Sequence, residues 1–345
     1  LRRRAVATDD AEQPGGTRMT VIDVHTHMLS EDWLKLLKEY GPPRYEVRPS
    51  KDAAYGIHLD GAPFMTPQPG HWDYKLRIRE MNKAKVDLAI VSLTCPNVYF
   101  GPGEISLKAA RIANDDMAAA QADYPDRIRF LCSLPWEYPD LAVAELDRAV
   151  AAGAVGVMVL ANIAGASLTD PKFTPVWEAI DRKKLPVLVH PTAPPGTPSM
   201  DMRAYNLIAS VGFMFDTTLA ISRMIFDGFF DRYKKLKIIA SHAGGTLPYL
   251  VGRLDVCHAN MNAARIKTKK KPSLYLKRIW YDAVTYRPET LKLCLDVGGE
   301  DKVMYGSDYP HNIGDMKGCL ARVNDLPSRV AKKVRQSNAE AIFKL

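Results

Sequence analysis

The sequence predicts a closed (β/α)8 TIM barrel of the α/β class, with an insertion after the first strand, and three observations predict it. Eight short β-branched or apolar runs recur along the chain, and helical sequence separates them. Four of these runs finish on or just before histidine or aspartate. Alternating strand and helix patterns mark βα units around a parallel sheet, and eight units suit closure into a barrel. An open doubly wound sheet is the rival arrangement, but no GxGxxG follows the first run; histidines stand there instead.

In chain order the runs cover residues 20–24, 86–93, 128–134, 155–160, 186–189, 237–240, 279–283 and 302–305. Amphipathic stretches such as 141–151 and 175–183 repeat Leu, Val and Ala at three- and four-residue steps, as a helix with one apolar face requires. Residues 40–73 are rich in Pro, Gly and aromatics and too long for an ordinary βα loop, so a lid-like insertion over the barrel mouth is expected. A second long loop, 192–213, contains Pro194-Pro195-Gly196 and follows the fifth strand. Both lie on the side where barrel enzymes carry their chemistry.

The chain has 345 residues, 47% hydrophobic and 25% charged, an ordinary globular balance. Residues 1–18 are expected to be a disordered extension or an appended remnant, leaving 19–345 as the metal-dependent barrel domain. Leu1-Arg2-Arg3-Arg4 is basic, but no apolar stretch follows it as in a secretory signal. No uninterrupted apolar run suggests a membrane span. Five scattered cysteines with no CxxC pair argue against a disulfide framework and for a reducing, cytoplasmic setting. The net charge of +8 peaks in Lys267-Thr268-Lys269-Lys270-Lys271, which lacks interleaved aromatics and reads as a solvated stretch rather than a nucleic-acid patch. The excess charge suits an anionic small molecule.

The chemistry starts at Val21-Ile22-Asp23-Val24-His25-Thr26-His27. Side chains alternate along a strand, so His25 and His27 share a face and their imidazoles can reach one ion. Alone, this pair could equally be two packed histidines. Recurrence decides the matter: the fifth run ends in His190, the sixth in Ser241-His242 before Gly244-Gly245, and the eighth in Gly306-Ser307-Asp308. A barrel gathers such strand ends at one mouth. His25, His27, His190 and Asp308 then supply three nitrogens and a carboxylate, leaving His242 as a general acid/base. By chemistry alone His190 and His242 could exchange roles, and Asp308 could handle protons as well as bind metal. The fourth run contains no lysine to bridge two ions, so one metal is expected. Asp23 shares the parity of His25 and is placed to orient a ligand histidine. His58, His71 and His258 read as loop or structural residues, and Trp72, Trp136, Trp177 and Trp280 as packing.

HxH on strand 1, LVHP on strand 5, SHAGG on strand 6, GRLD downstream and YGSDYP on strand 8 resemble the amidohydrolase-2 family of the amidohydrolase superfamily, especially its nonoxidative decarboxylases. The resemblance covers residues 20–345. It implies a homodimer with one divalent metal per subunit, Zn²⁺ or Mn²⁺, held by His25, His27, His190 and Asp308, with His242 as catalytic base. It further implies that Arg253 reaches across the dimer to a substrate carboxylate; without it, Arg253 would read as one half of a surface salt bridge. Met65, Thr192 and His311 fall at substrate-facing positions where the decarboxylases carry arginine, tryptophan and phenylalanine. The expected activity is nonoxidative decarboxylation of a small unsaturated or aromatic carboxylic acid, with His242 and Asp308 as catalytic residues. The alternative is metal-dependent hydrolysis of a lactone, amide or ring-cleavage product. No nucleic-acid or membrane partner is expected.

Overall fold

Strands form where the apolar runs predict them, because a barrel strand is covered by side chains within and helices without. The computed structural model describes residues 20–50 and 53–345, so the expected extension over 1–18 lies outside the described residues. The barrel strands are β1 (Ile22–His27), β2 (Leu88–Ser92), β3 (Ile128–Cys132), β4 (Gly156–Leu160), β5 (Pro186–His190), β6 (Lys237–Ala240), β7 (Trp280–Asp282) and β8 (Val303–Met304). They lie side by side in that order, each parallel to its neighbour. Every residue of β1, β2, β4 and β5 is buried.

The ring closes between its first and last strands. Val24 N–H donates to Tyr305 O at 3.0 Å, Asp308 N–H to His25 O at 2.9 Å, and His27 N–H to Tyr309 O at 2.7 Å. Such a seam needs close approach: a Cβ on Gly306 would stand 3.0 Å from the Cβ of His25 and 3.1 Å from that of Asp282.

The principal outer helices are α1 (Glu31–Tyr40), α2 (Tyr74–Ala84), α3 (Gly103–Asp123), α4 (Pro139–Ala151), α5 (Thr174–Lys183), α6 (Phe213–Phe226), α7 (Leu247–Asn260), α8 (Pro288–Gly298) and α9 (Met316–Asn324). α4 buries Ala142, Glu145, Leu146 and Ala149 at helical spacing. Its buried carboxylate is satisfied by Asn114 Nδ2 at 2.7 Å and Arg148 Nε at 2.8 Å. Trp136 and Trp177 pack at 4.7 Å between ring centres, with Phe229 beyond Trp177, as packing residues should. The helical stretch Ala204–Phe226 has the length and composition to cross a bilayer, yet half of it is buried in the fold.

The segment after β1 carries more order than a loop. Tyr45–Arg48, Gly56–Leu59 and Ala62–Met65 form a three-stranded antiparallel sheet. Its second turn is Asp60-Gly61, with φ of 48° and 83°, the left-handed pair that matches strand twist in a two-residue hairpin. Phe64 of this sheet lies 6.2 Å from Phe213 at the start of α6, and Asp60 pairs with Arg203 at 3.7 Å. The insertion is thereby packed onto the loop that follows β5.

Candidate metal centre

Three imidazoles at the barrel mouth are held so that one nitrogen of each is committed elsewhere. His25 Nδ1 lies 2.6 Å from Asp282 Oδ2. His27 Nδ1 lies 3.3 Å from Leu93 O, and His190 Nδ1 lies 2.8 Å from Pro191 O. Each Nδ1–H donates outward, which leaves a bare Nε2 lone pair facing the barrel axis. These lone pairs converge: His25 Nε2 and His27 Nε2 are 3.1 Å apart, and His27 Nε2 is 3.2 Å from Asp308 Oδ1. His190 Nε2 is buried with no hydrogen-bond partner among the described residues. Lone pairs directed at one another repel unless a cation lies between them, so this donor set fits a divalent ion.

His242 stands differently. Its Nε2 lies 3.5 Å from Asp308 Oδ2, while its buried Nδ1 has no hydrogen-bond partner among the described residues. His242 and Asp308 have φ of 52° and 58°, the left-handed region that side chains avoid unless the surroundings impose it. For His242 the restraint is visible. Asp282 accepts the N–H groups of both His242 and Ala243, at 2.9 and 3.1 Å. The glycines that follow permit the turn: a Cβ on Gly245 would stand 2.5 Å from Met214 O.

Donor atoms of His25, His190, His242 and Asp308 all lie within 4.8 Å of one another, and so do those of His27, Asp308 and His311. Electrostatics separates the rings. Burial, with His27 and His25 beside it, holds His190 well below the ordinary histidine range, and burial takes His27 down to about 3. Burial opposes protonation of His25 too, but Asp282, Asp308 and Asp23 outweigh it and raise the ring. For Asp308, burial favours the neutral acid, and the charges and hydrogen bonds of His311, His242 and His27 overcome it, holding the carboxylate well below its usual range.

The remaining residues singled out in the sequence are spread more widely. His311 Nε2 is 3.2 Å from Thr94 Oγ1, and its ring centre is 4.9 Å from that of His27. Thr192 is buried, its N–H donating to Asp216 Oδ2 at 3.0 Å. Met65 is buried at the end of the insertion sheet, opposite Ile57. Arg253 is not in the cluster. It is exposed on α7, and no salt bridge to it is found among the described residues.

Two expectations change. Asp23 does not orient an imidazole; it accepts Ser307 Oγ–H at 2.5 Å and Ser307 N–H at 3.1 Å, securing the end of β8. The residue behind His25 is Asp282, at the end of β7. His71 is not an ordinary loop histidine: it is fully buried, and its ring centre is 5.0 Å from that of His311. His258, as expected, is structural, its Nε2 3.0 Å from Thr268 O. Arg77 also escaped notice. Buried beneath β1, it donates to His27 O, to Thr26 Oγ1 at 2.6 Å and to Met28 Sδ at 2.9 Å.

Comparison with known proteins agrees with this geometry. A 2-amino-3-carboxymuconate-6-semialdehyde decarboxylase of Dictyostelium discoideum is 31% identical over 307 residues, covering 87% of this chain and 84% of the relative. A gamma-resorcylate decarboxylase of Polaromonas is 30% identical, covering 78% of this chain and 86% of the relative. The crystal structure of 5-carboxyvanillate decarboxylase from Novosphingobium aromaticivorans, complexed with manganese and 4-hydroxy-3-methoxy-5-nitrobenzoic acid, superposes with a TM-score of 0.80. It shares 26% identity and covers 99% of this chain and 100% of its own. The amidohydrolase family model matches residues 22–345, and the chain belongs to that family, in its amidohydrolase-2 branch.

Proposed function

We propose that this protein decarboxylates a small aromatic or unsaturated carboxylic acid, using one divalent metal ion held by His25, His27, His190 and Asp308. It is a metal-dependent carboxy-lyase of the amidohydrolase superfamily. The observation that carries the ligand assignment is the commitment of Nδ1 in His25, His27 and His190 to acceptors outside the cluster, which turns three Nε2 lone pairs toward Asp308. His242, whose Nδ1 has no such partner, is left to move protons.

The ion, Zn²⁺ or Mn²⁺, would supply Lewis acidity and a template for the carboxylate. The protein residues do the rest. His242 Nε2, facing Asp308 Oδ2, is placed to hold a proton and deliver it to the carbon bearing the carboxylate. The bond to the carboxylate carbon then breaks, its electron pair restores the unsaturated system, and CO₂ departs. Phe213, 6.5 Å from His190 and backed by Phe64 of the insertion, offers an apolar wall for a flat ring, with the insertion serving as a lid. The hydrolytic alternative would use the same residues, but the relatives described above are decarboxylases.

Arg253 completes the site from a second subunit in this reading. Tyr249, Arg253 and Val256 follow one another at four- and three-residue steps on one face of α7, and Tyr249 and Val256 are 81% and 62% exposed. An uncovered apolar face around an unpaired guanidinium suits a homodimer contact that places the arginine fork on a partner-bound carboxylate. Five unpaired cysteines suit a cytoplasmic setting.

The test is incubation of the metal-loaded protein with a panel of hydroxylated and carboxylated benzoic acids. Stoichiometric CO₂ is expected, whereas products heavier by one water would replace this reading with hydrolysis. His242→Ala should retain the ion and lose about 10²–10⁴-fold in rate. Loss of the ion instead would exchange the roles of His242 and His190.

A further inference from the structure

We propose that His71 and His311 form a second, hydrogen-bonding subsite beside the metal centre, one that receives an oxygen substituent carried by the substrate away from its departing carboxylate. The proposal rests on the decarboxylase reading for the class of ligand.

His71 ends a short turn, Pro69–His71, just ahead of α2. Gln68 N–H donates to His71 Nδ1 at 2.9 Å. An imidazole that accepts at Nδ1 carries its proton on Nε2. His71 Nε2 is therefore an N–H donor, fully buried, with no acceptor among the described residues. A protonated nitrogen cannot coordinate an ion, so the ring is not a metal ligand. Buried donors in folded proteins are almost always paired, and an unpaired one next to a reaction site awaits an acceptor.

The turn is built to bring this donor close. A Cβ on Gly70 would collide with the Tyr309 ring and stand 2.8 Å from Pro310 Cβ, so glycine lets the turn press against the loop that carries His311. Leu29 N–H donates to His71 O at 2.8 Å and ties the turn to the end of β1. The His311 imidazole thus neighbours those of both His27 and His71, with centre spacings of 4.9 and 5.0 Å. Thr94 Oγ1 adds a hydroxyl at 3.2 Å from His311 Nε2. Phe213 stands near His190 instead, with Phe64 behind it. One part of the site is hydrocarbon and the other is a bank of N–H and O–H groups. A flat acid resting on the first presents an edge oxygen, phenolic or carboxylic, to the second.

The test uses the manganese-loaded full chain and three probes: benzoate, 3-hydroxybenzoate and benzene-1,3-dicarboxylate. A meta oxygen cannot chelate the same ion as the first carboxylate, so any preference for it reports a separate contact. Calorimetry should show the two substituted acids binding at least about tenfold more tightly than benzoate. His71→Phe and His311→Phe should each bring that ratio to within about twofold, with the ion retained. His71→Gln, whose amide again offers an N–H, should preserve most of the ratio and guards against a packing defect. The proposal is overturned if the wild type shows no preference or if the preference survives in His71→Phe. Loss of the ion from His311→Phe overturns it too, since His311 would then be a ligand. The ratio is read without turnover, so absence of CO₂ release would defeat the decarboxylase reading and leave the subsite standing.

Discussion

Asp282 Oδ2 and His25 Nδ1 are joined by a buried 2.6 Å hydrogen bond between β7 and β1, and the same carboxylate accepts the N–H groups of His242 and Ala243. One aspartate thus aims a proposed ligand and clamps the turn that carries the proposed catalytic base. Asp282→Asn should weaken metal binding by about 10–100-fold, as loss of such outer contacts does. Chelator competition checks this, with His242→Ala as the contrasting variant that keeps its ion.

Proton competition should be strongest at His25. It is the ring whose pKa the surrounding carboxylates raise, while His27 titrates near 3 and His190 is held well below its usual range. Below its raised pKa an entering ion must displace a proton from His25 Nε2. Apparent affinity should therefore be flat at high pH and fall about tenfold per pH unit once the solution drops below the raised His25 value. Chelator titrations from about pH 8 down to about pH 5 check the slope, which should begin at lower pH in Asp282→Asn.

Arg77 should matter for stability although it lies outside the metal cluster. Arg77→Met takes the guanidinium donors from the buried His27 carbonyl and from the Thr26 hydroxyl, which keeps its own bond to Tyr309 O at 2.9 Å. A loss of about 2–5 kcal/mol is expected, read as a melting temperature lower by roughly 5–10 °C. Arg77→Lys should recover only part, because one ammonium cannot reproduce a planar fork.

Asp216 supplies a pH signature of its own. Burial raises it to about 6, against the N–H groups of Thr192 and Asn162 that favour its charge. The folded state thus prefers the proton more than the unfolded chain, where aspartate titrates near 4. Its contribution to stability is fully present below about pH 4, declines as pH rises to about 6, and is level above that. The swing amounts to about 3 kcal/mol. Urea unfolding of Asp216→Asn and wild type should show the wild type losing ground over that interval, which isolates Asp216 from Asp23, raised in the same sense.

The barrel was legible because most of its strands, β2, β4 and β5 above all, are apolar on both faces and stand out as runs between helical stretches. The HxH pair and the strand-end His and Asp were legible because parallel strands deliver their ends to one mouth. Asp282 was missed although it obeys the same rule, ending β7 as His190 ends β5. Inside a short run with Trp280 and Tyr281, a lone carboxylate looks like an interrupted strand. The insertion was expected but its sheet was not, since its strands are only four residues long and Asp60-Gly61 is the one local mark of a hairpin between them. His71 could not be placed because local sequence does not say that a turn will be pressed against residues more than two hundred positions away, and Arg77 because a lone arginine on α2 gives no sign that it will reach the buried end of β1.

The seam between β1 and β8 also governs the order in which this protein can come into being. His25 and Asp308 meet only where the first strand hydrogen-bonds to the last. A nascent chain that has displayed His25 and His27 must still extend beyond residue 308 before a carboxylate arrives to face them. The proposed ligand set is thus complete only once β8 has joined the ring, and metal retention would report on synthesis past residue 308.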